Sequence, residues 1–375
     1  MTLLLLNLFL FVVLLNSVSS DEVNKITSPF LRGGDHNNHH SPNTNTNNNH
    51  GEHHYYIPPR WQINDNDDML NEYPVIGIFA QPTYDSIEPC NGDCQYIAAS
   101  YVKYIEGAGA RVVPINYHSS KEELDLLLDS LNGFFLPGGG ANYPDSVQYV
   151  FDSIIKRNDN GDYLPLWGTC MGFQWLLIAA SKDVNILDPS DGTQMDAYNY
   201  SIPLDFTSTA YTSELFNDAS PHLMNALKNK NVTMNNHHYG IWTEHFRNTP
   251  SLTNFYNILS NNKDRRGDEF VSTIEAKNYP IFGTQWHPEK NNLEWKKDAD
   301  GTPKEAINHS PDAIAVSQYT ANFFVSKARH NHHSFKDVEV ENNALIYNWQ
   351  PTKTSEKSTF VQKYYFPAGA EWNNK

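Results

Sequence analysis

Apolar residues first recur in a regular pattern at "YPVIGIFAQP" (73–82), a β-branched run closed by proline that predicts a buried strand. A helical pattern follows over residues 96–108, closed by Gly109, and "ARVVPIN" (110–116) reads as a second strand. "SSKEELDLLLDSLN" (119–132) predicts a helix, with Ser119 or Ser120 as N-cap and Glu122 or Glu123 completing a capping box. "GFFLPGGG" (133–140) predicts a third strand running into a glycine loop. A helix over 145–157, a fourth strand at "YLPLWG" (163–168) and a helix over 171–181 complete the regular half. Beyond it "YNYSIPLDF" (198–206) and "DEFVSTIEAKNYPIFGTQWHPE" (268–289) read as antiparallel strands, and 310–330 as a long amphipathic helix. From about residue 334 the chain is aromatic and polar, and is expected to pack as loops and short strands on the body.

Strands alternating with helices at this spacing predict βαβ units: an α/β, doubly wound, mostly parallel central sheet flanked by helices. Chemistry in such sheets gathers at the carboxyl ends of the strands. Both glycine-rich features, "PGGG" and "GTCMG", fall at predicted strand ends. That coincidence points to one shared site.

The N-terminus follows none of these patterns. Residues 3–15 are apolar apart from Asn7, and Val18 and Ser20 stand where a small-residue cleavage site requires them, so residues 1–20 read as a secretory signal peptide. The run is short for an uncleaved membrane anchor, and no later segment is long and apolar enough to cross a bilayer. Residues 21–68 are polar and repetitive, centred on "GGDHNNHHSPNTNTNNNHGEHH", and are expected to be a disordered leader. Its histidines lack the cysteine partners and ordered spacing of a metal site. One α/β domain, residues 69–375 with its C-terminal extension from about 334, is expected to make up the rest.

With 39% hydrophobic residues in 375, the chain can bury a substantial core. Its formal charge of −16 offers no footprint for nucleic acid or an anionic membrane. The secretory reading makes three Asn-x-Ser/Thr sites, Asn199, Asn231 and Asn308, usable glycosylation acceptors. Of three cysteines, Cys90 and Cys94 are spaced for a small local disulfide or are both reduced, which leaves Cys170 as the odd thiol.

Cys170 lies at the centre of Gly168-Thr169-Cys170-Met171-Gly172, between a predicted strand and a helix. This G-x-C-x-G is the thiol counterpart of the serine nucleophile elbow, where glycines two residues away on either side avoid collision with neighbouring elements. The helix beginning at Met171 presents free N–H groups and a positive dipole end to the sulfur, which favours a thiolate. Such a nucleophile needs a proton-handling partner, and "IFGTQWHPEK" places His287 at a strand end with Glu289 two residues on, able to orient the imidazole. Gly138, Gly139 and Gly140 expose backbone N–H groups suited to an oxyanion, with the Met171 amide as a further donor.

In that order, "PGGG", "GTCMGFQ" and "QWHPEK" resemble the class I glutamine amidotransferase superfamily, and "YIAASYVKYIEGAGARVVPI" with "NNHHYGIW" narrows the resemblance to the gamma-glutamyl hydrolases, over residues 73–327. The resemblance implies a flavodoxin-like sheet, Cys170 as nucleophile, His287 as general base and then acid, and Glu289 as its orienter. Gly139, Gly140 and Met171 would hold the oxyanion, while His237, Tyr96, Gln174 and Gln285 would contact substrate. Relatives often carry Glu where this chain has Gln174. The implied substrates are folate polyglutamates, cleaved without metal or organic cofactor by a secreted or lysosomal or vacuolar enzyme that can form a homodimer. Lys103, Arg111 and Lys290 are candidates to hold the anionic tail by proximity to the motifs. Two rivals share the motifs: a glutaminase of the amidotransferase type, and a non-catalytic secreted binding protein.

Overall fold

The computed structural model describes residues 70–83 and 94–367. The predicted signal peptide (1–20), the predicted leader (21–68) and Cys90 lie outside the described residues.

In chain order, β1 (Val75–Phe79) leads to the two-residue β2 (Gln81–Pro82), and β3 (Cys94–Ala98) passes directly into α1 (Ala99–Glu106). Next come β4 (Arg111–Ile115), α2 (Lys121–Ser130), β5 (Gly133–Leu136), α3 (Asp145–Asp159), β6 (Leu166–Thr169) and α4 (Met171–Ser181). The less regular half holds β7 (Ala197–Ile202), β8 (Asp205–Phe206), α5 (Pro221–Asn229), β9 (Thr233–His237), α6 (Thr243–Arg247), α7 (Pro250–Phe255), β10 (Tyr256–Lys263), β11 (Glu269–Ala276) and β12 (Ile281–Thr284). It is followed by α8 (Lys290–Leu293), α9 (Pro311–Ala328), α10 (Val338–Ala344), β13 (Thr352–Lys353) and β14 (Gln362–Pro367).

Eight strands form the central sheet in the order β4-β1-β5-β6-β12-β11-β10-β8. The first five are parallel and the last three extend the sheet antiparallel, as a doubly wound, mostly parallel fold requires. The alternation within each strand explains the helices on both faces. Val75, Val113, Phe134 and Leu166 pack into one core with α2, α3 and α4. Ile76, Val112, Phe135 and Trp167 pack into a second with α1 and α9. A strand buried on both faces reads as a continuous apolar run, which is why these strands were visible in the sequence. The predicted capping box of α2 is present as Ser120 with Glu123: Glu123 N–H donates to the serine hydroxyl at 3.2 Å and Ser120 N–H to Glu123 Oε2 at 2.8 Å. Such a cap stabilises a helix by about 1 kcal/mol.

Three expectations need correction. The helix expected over 96–108 starts only at Ala99, because residues 94–98 pair antiparallel with β14 and with β2 in a separate four-stranded sheet. Long-range pairing there overrides a locally helical pattern. Second, β12 is both antiparallel to β11 and parallel to β6, so it completes the parallel set and ends at Thr284, three residues before His287. Third, β9 and β10 escaped notice: "TMNNH" and "YNILSNNK" are too polar to register as strands, and pairing with β7 and β11 makes them so. No helix among the described residues is long and apolar enough to cross a membrane.

Candidate active site

Three adjacent parallel strands, β5, β6 and β12, end at one level, with Leu136 opposite Gly168 and Thr284 opposite Thr169. Their outgoing loops carry the glycine run, Cys170 and His287. Neighbouring strand ends bring together motifs more than a hundred residues apart in the chain.

Cys170 adopts φ 53°, ψ −104°, outside the region comfortable for a side-chain-bearing residue. Such a conformation costs about 1–3 kcal/mol and persists only when its surroundings impose it. Here Cys170 N–H donates to Thr284 O at 2.8 Å and Gly172 N–H to Pro137 O at 3.1 Å, so the turn is pinned to the ends of both neighbouring strands. Gly172 is obligatory, because a Cβ there would land on the Leu136 carbonyl. Cys170 is a free thiol at the start of α4, whereas Cys94 is disulfide-bonded.

Facing the sulfur, His287 donates from Nδ1 to Glu289 Oε1 at 2.7 Å. It also hydrogen-bonds Cys170, for which Nε2 is the nitrogen left. The imidazole is 4% exposed and Glu289 fully buried. Burial alone would push the His287 pKa down, but Glu289 and then Cys170 outweigh it and raise it to about 10. The Tyr101 hydroxyl, 3.2 Å from His287 Nδ1, accepts from Gly138 N–H at 2.9 Å and bridges the histidine to the glycine loop. Burial, reinforced by the charges of Glu289 and Cys170, keeps this phenol neutral by pushing its pKa far up. Gly138 is packed so closely that a Cβ would stand 2.5 Å from Tyr101 Oη and 2.7 Å from His287 Cε1.

Tyr101 escaped the sequence reading. Tyr96, to which the resemblance pointed, lies on β3 with Lys363 Nζ 3.9 Å from its ring centroid. A helical wheel beginning at Ala99 would have found Tyr101 among the buried positions.

Among the described residues nothing accepts from the amides of Gly139 or Met171, whereas Gly140 N–H donates to Gln81 Oε1 at 3.2 Å. Two of the three predicted oxyanion donors are therefore open and the third is committed elsewhere. His237 stands at the end of β9, a strand joined to the site where His287 N–H donates to Met234 O. Its Nδ1 donates to Tyr239 O at 2.9 Å, and burial, with His287 contributing, lowers its pKa to about 3. Gln174 Nε2 donates to Tyr239 O at 2.7 Å and approaches Gln285 Oε1 at 3.5 Å. A carboxylate at 174 could not donate to that carbonyl.

The three cations offered for an anionic tail are all engaged within the protein. Lys103 donates to Gln362 Oε1 at 2.6 Å, Arg111 pairs with Glu341, and buried Lys290 pairs with Glu305 at 2.5 Å. An open groove of about 720 Å³ beside Trp242, His245 and Arg266 contains none of these side chains.

Residues 74–289 match the family model described as Peptidase C26. Gamma-glutamyl hydrolase B of Dictyostelium discoideum is 42% identical over 79% of this chain and 84% of its own. Gamma-glutamyl hydrolase of Mus musculus is 40% identical over 79% of this chain and 90% of its own. A solved glutamine amidotransferase from Thermotoga maritima aligns with 69% of this chain and 99% of its own at 12% identity and a TM-score of 0.36, a likeness too distant to add to the assignment. With a matched domain that spans the three converging strand ends and relatives similar over most of their length, the chain belongs to the peptidase C26 family of gamma-glutamyl hydrolases.

Proposed function

We propose that this cysteine-type γ-glutamyl hydrolase cleaves folyl or pteroyl poly-γ-glutamates through a thioester on Cys170. The observation that carries the reading is the strained Cys170 turn facing a buried His287–Glu289 pair, with the Gly139 and Met171 amides open beside it. The sulfur attacks the γ-amide carbonyl carbon, and the electron pair moves onto oxygen, where the two amides hold it. His287 gives its proton to the departing nitrogen as the C–N bond breaks. The neutral imidazole then takes a proton from water, hydroxide adds to the thioester, and the C–S bond breaks to release the glutamyl acid and restore the sulfur. Glu289 keeps the imidazole oriented and stabilises its charge throughout. His237, neutral at working pH, walls the cleft, with Gln174 and Gln285 offering amide contacts to the scissile glutamyl residue. Tyr96 serves the substrate side from β3.

Wild-type protein and a Cys170→Ala variant, incubated with pteroyl- and p-aminobenzoyl-polyglutamates and read by mass spectrometry, test this. Wild type shortens the tails and the variant does not. Equal products from both refute the mechanism, and ammonia from free glutamine without peptide cleavage favours the amidotransferase reading.

The same proposal assigns residues 1–20 to a signal peptide and 69–375 to one hydrolase domain, in a secreted or lysosomal or vacuolar enzyme able to form a homodimer. Of the sequons, Asn231 is exposed. Asn199 accepts from Ala306 N–H, and Asn308 donates to Asn231 O and accepts from Ser310 N–H. This favours Asn231 as the glycan acceptor, and a mass shift on glycosidase treatment that vanishes in Asn231→Gln checks it.

A further inference from the structure

The glycine loop is gripped by a side chain that neither the motifs nor the catalytic reading uses. Gln81, on β2, is 2% exposed. Its Nε2 donates to Gly138 O at 2.8 Å, and its Oε1 accepts from Gly140 N–H at 3.2 Å. One planar carboxamide thus holds two successive peptide units of the loop. A Cβ on Gly139 would collide with that carboxamide, so the glycine is required by the clamp.

Gly138 C=O and Gly139 N–H are opposite ends of one planar trans peptide. Fixing the oxygen toward Gln81 aims the N–H the other way, away from β2. A carbonyl that accepts a hydrogen bond also makes the N–H of its own peptide a better donor. Tyr101 holds Gly138 N–H from the other side, so the Gly138–Gly139 peptide is fixed on both flanks while its own N–H stays open. Without such a grip a run of three glycines could flip that peptide at little cost.

We propose that Gln81 is a positioning residue that presets the Gly139 N–H as an oxyanion donor by clamping the peptide that carries it and the peptide that follows. The inference rests on the Cys170 reading above. The buttress behind Gln81 is the four-stranded sheet: β2 pairs with β3, and β3 with β14, so the end of the chain supports the donor.

The test uses the full chain with two near-isosteric variants. Gln81→Met removes both hydrogen bonds. Gln81→Glu can still accept from Gly140 but cannot donate to Gly138 O when ionised. For Gln81→Met, kcat on a p-aminobenzoyl-polyglutamate is expected to fall about a hundredfold, the scale of a lost oxyanion donor. KM is expected to stay within about threefold, since the donor acts on the transition state. Inhibition by a γ-glutamyl aldehyde, whose hemithioacetal oxygen occupies the oxyanion position, is expected to weaken in step with kcat. Alkylation of Cys170 by iodoacetamide, which forms no oxyanion, is expected to keep its wild-type rate. A fall in alkylation parallel to kcat would make Gln81 merely structural and overturn the proposal, as would wild-type kcat in Gln81→Met, or in Gln81→Glu at a pH that ionises the new carboxyl. Activity that survives Cys170→Ala would instead overturn the cysteine reading, whatever the Gln81 variants do.

Discussion

Replacing Glu289 by Gln removes a charge and keeps the shape. The carboxamide oxygen can still accept from His287 Nδ1, now 2.7 Å from Glu289 Oε1, so the ring stays oriented while its counter-charge disappears. With charge centres about 4 Å apart and an effective dielectric constant of about 20, the lost attraction is about 4 kcal/mol. At about 1.4 kcal/mol per pKa unit this is roughly three units. The His287 pKa, now about 10, should therefore fall to near 7, since Glu289 is the largest of the influences that raise it. A lower pKa means that the imidazolium, the proton donor to the leaving amine, is lost at lower pH. The pH profile of kcat/KM on a γ-glutamyl substrate should show its alkaline limb displaced downward by about three units. KM at neutral pH should change little, because the buried carboxylate does not face the cleft. Stability follows the same sign. A folded-state pKa raised above the unfolded value contributes stability that is fully present below about pH 6.5 and lost as pH rises through about 10. The stability gap between wild type and variant should accordingly close in that window. Coincident alkaline limbs for wild type and Glu289→Gln would refute the electrostatic role.

Tyr101→Phe deprives buried Gly138 N–H of its acceptor and should cost about 1–3 kcal/mol in urea unfolding, with a fall in kcat. Gly172→Ala drives a Cβ into the Leu136 carbonyl, where backbone cannot yield, and should destabilise by about 1–3 kcal/mol or more. Gly140→Ala, with open space around its position, should stay within about 0.5 kcal/mol of wild type in the same assay. Lys290→Met leaves Glu305 as an unpaired buried charge and should cost about 3–5 kcal/mol, most of it recovered when Glu305→Gln is added. Failure of the double variant to recover would place the cost in packing.

What the sequence by itself determined was local. The first four parallel strands were legible because both of their faces are buried, and α4 because an apolar run resumes directly after the Cys170 turn. The capping box is a contact across three residues, and the His287–Glu289 pair a contact across two. Tertiary structure decided whatever depended on a distant partner. Residues 94–98 became a strand through β14 and β2, and their pairing left Tyr101, one turn into α1, as the tyrosine beside His287. Gln81 reached the glycine loop across more than fifty residues, and in doing so took the amide of Gly140 out of the set of open donors. Lys103, Arg111 and Lys290, candidates for the anionic tail by their proximity to the motifs, are committed to groups brought to them by the folded chain. Residue type and spacing specify which chemistry a segment can perform. Which donors and charges remain open for it depends on the neighbours that fill each one's hydrogen-bonding capacity, and those neighbours come from elsewhere in the chain.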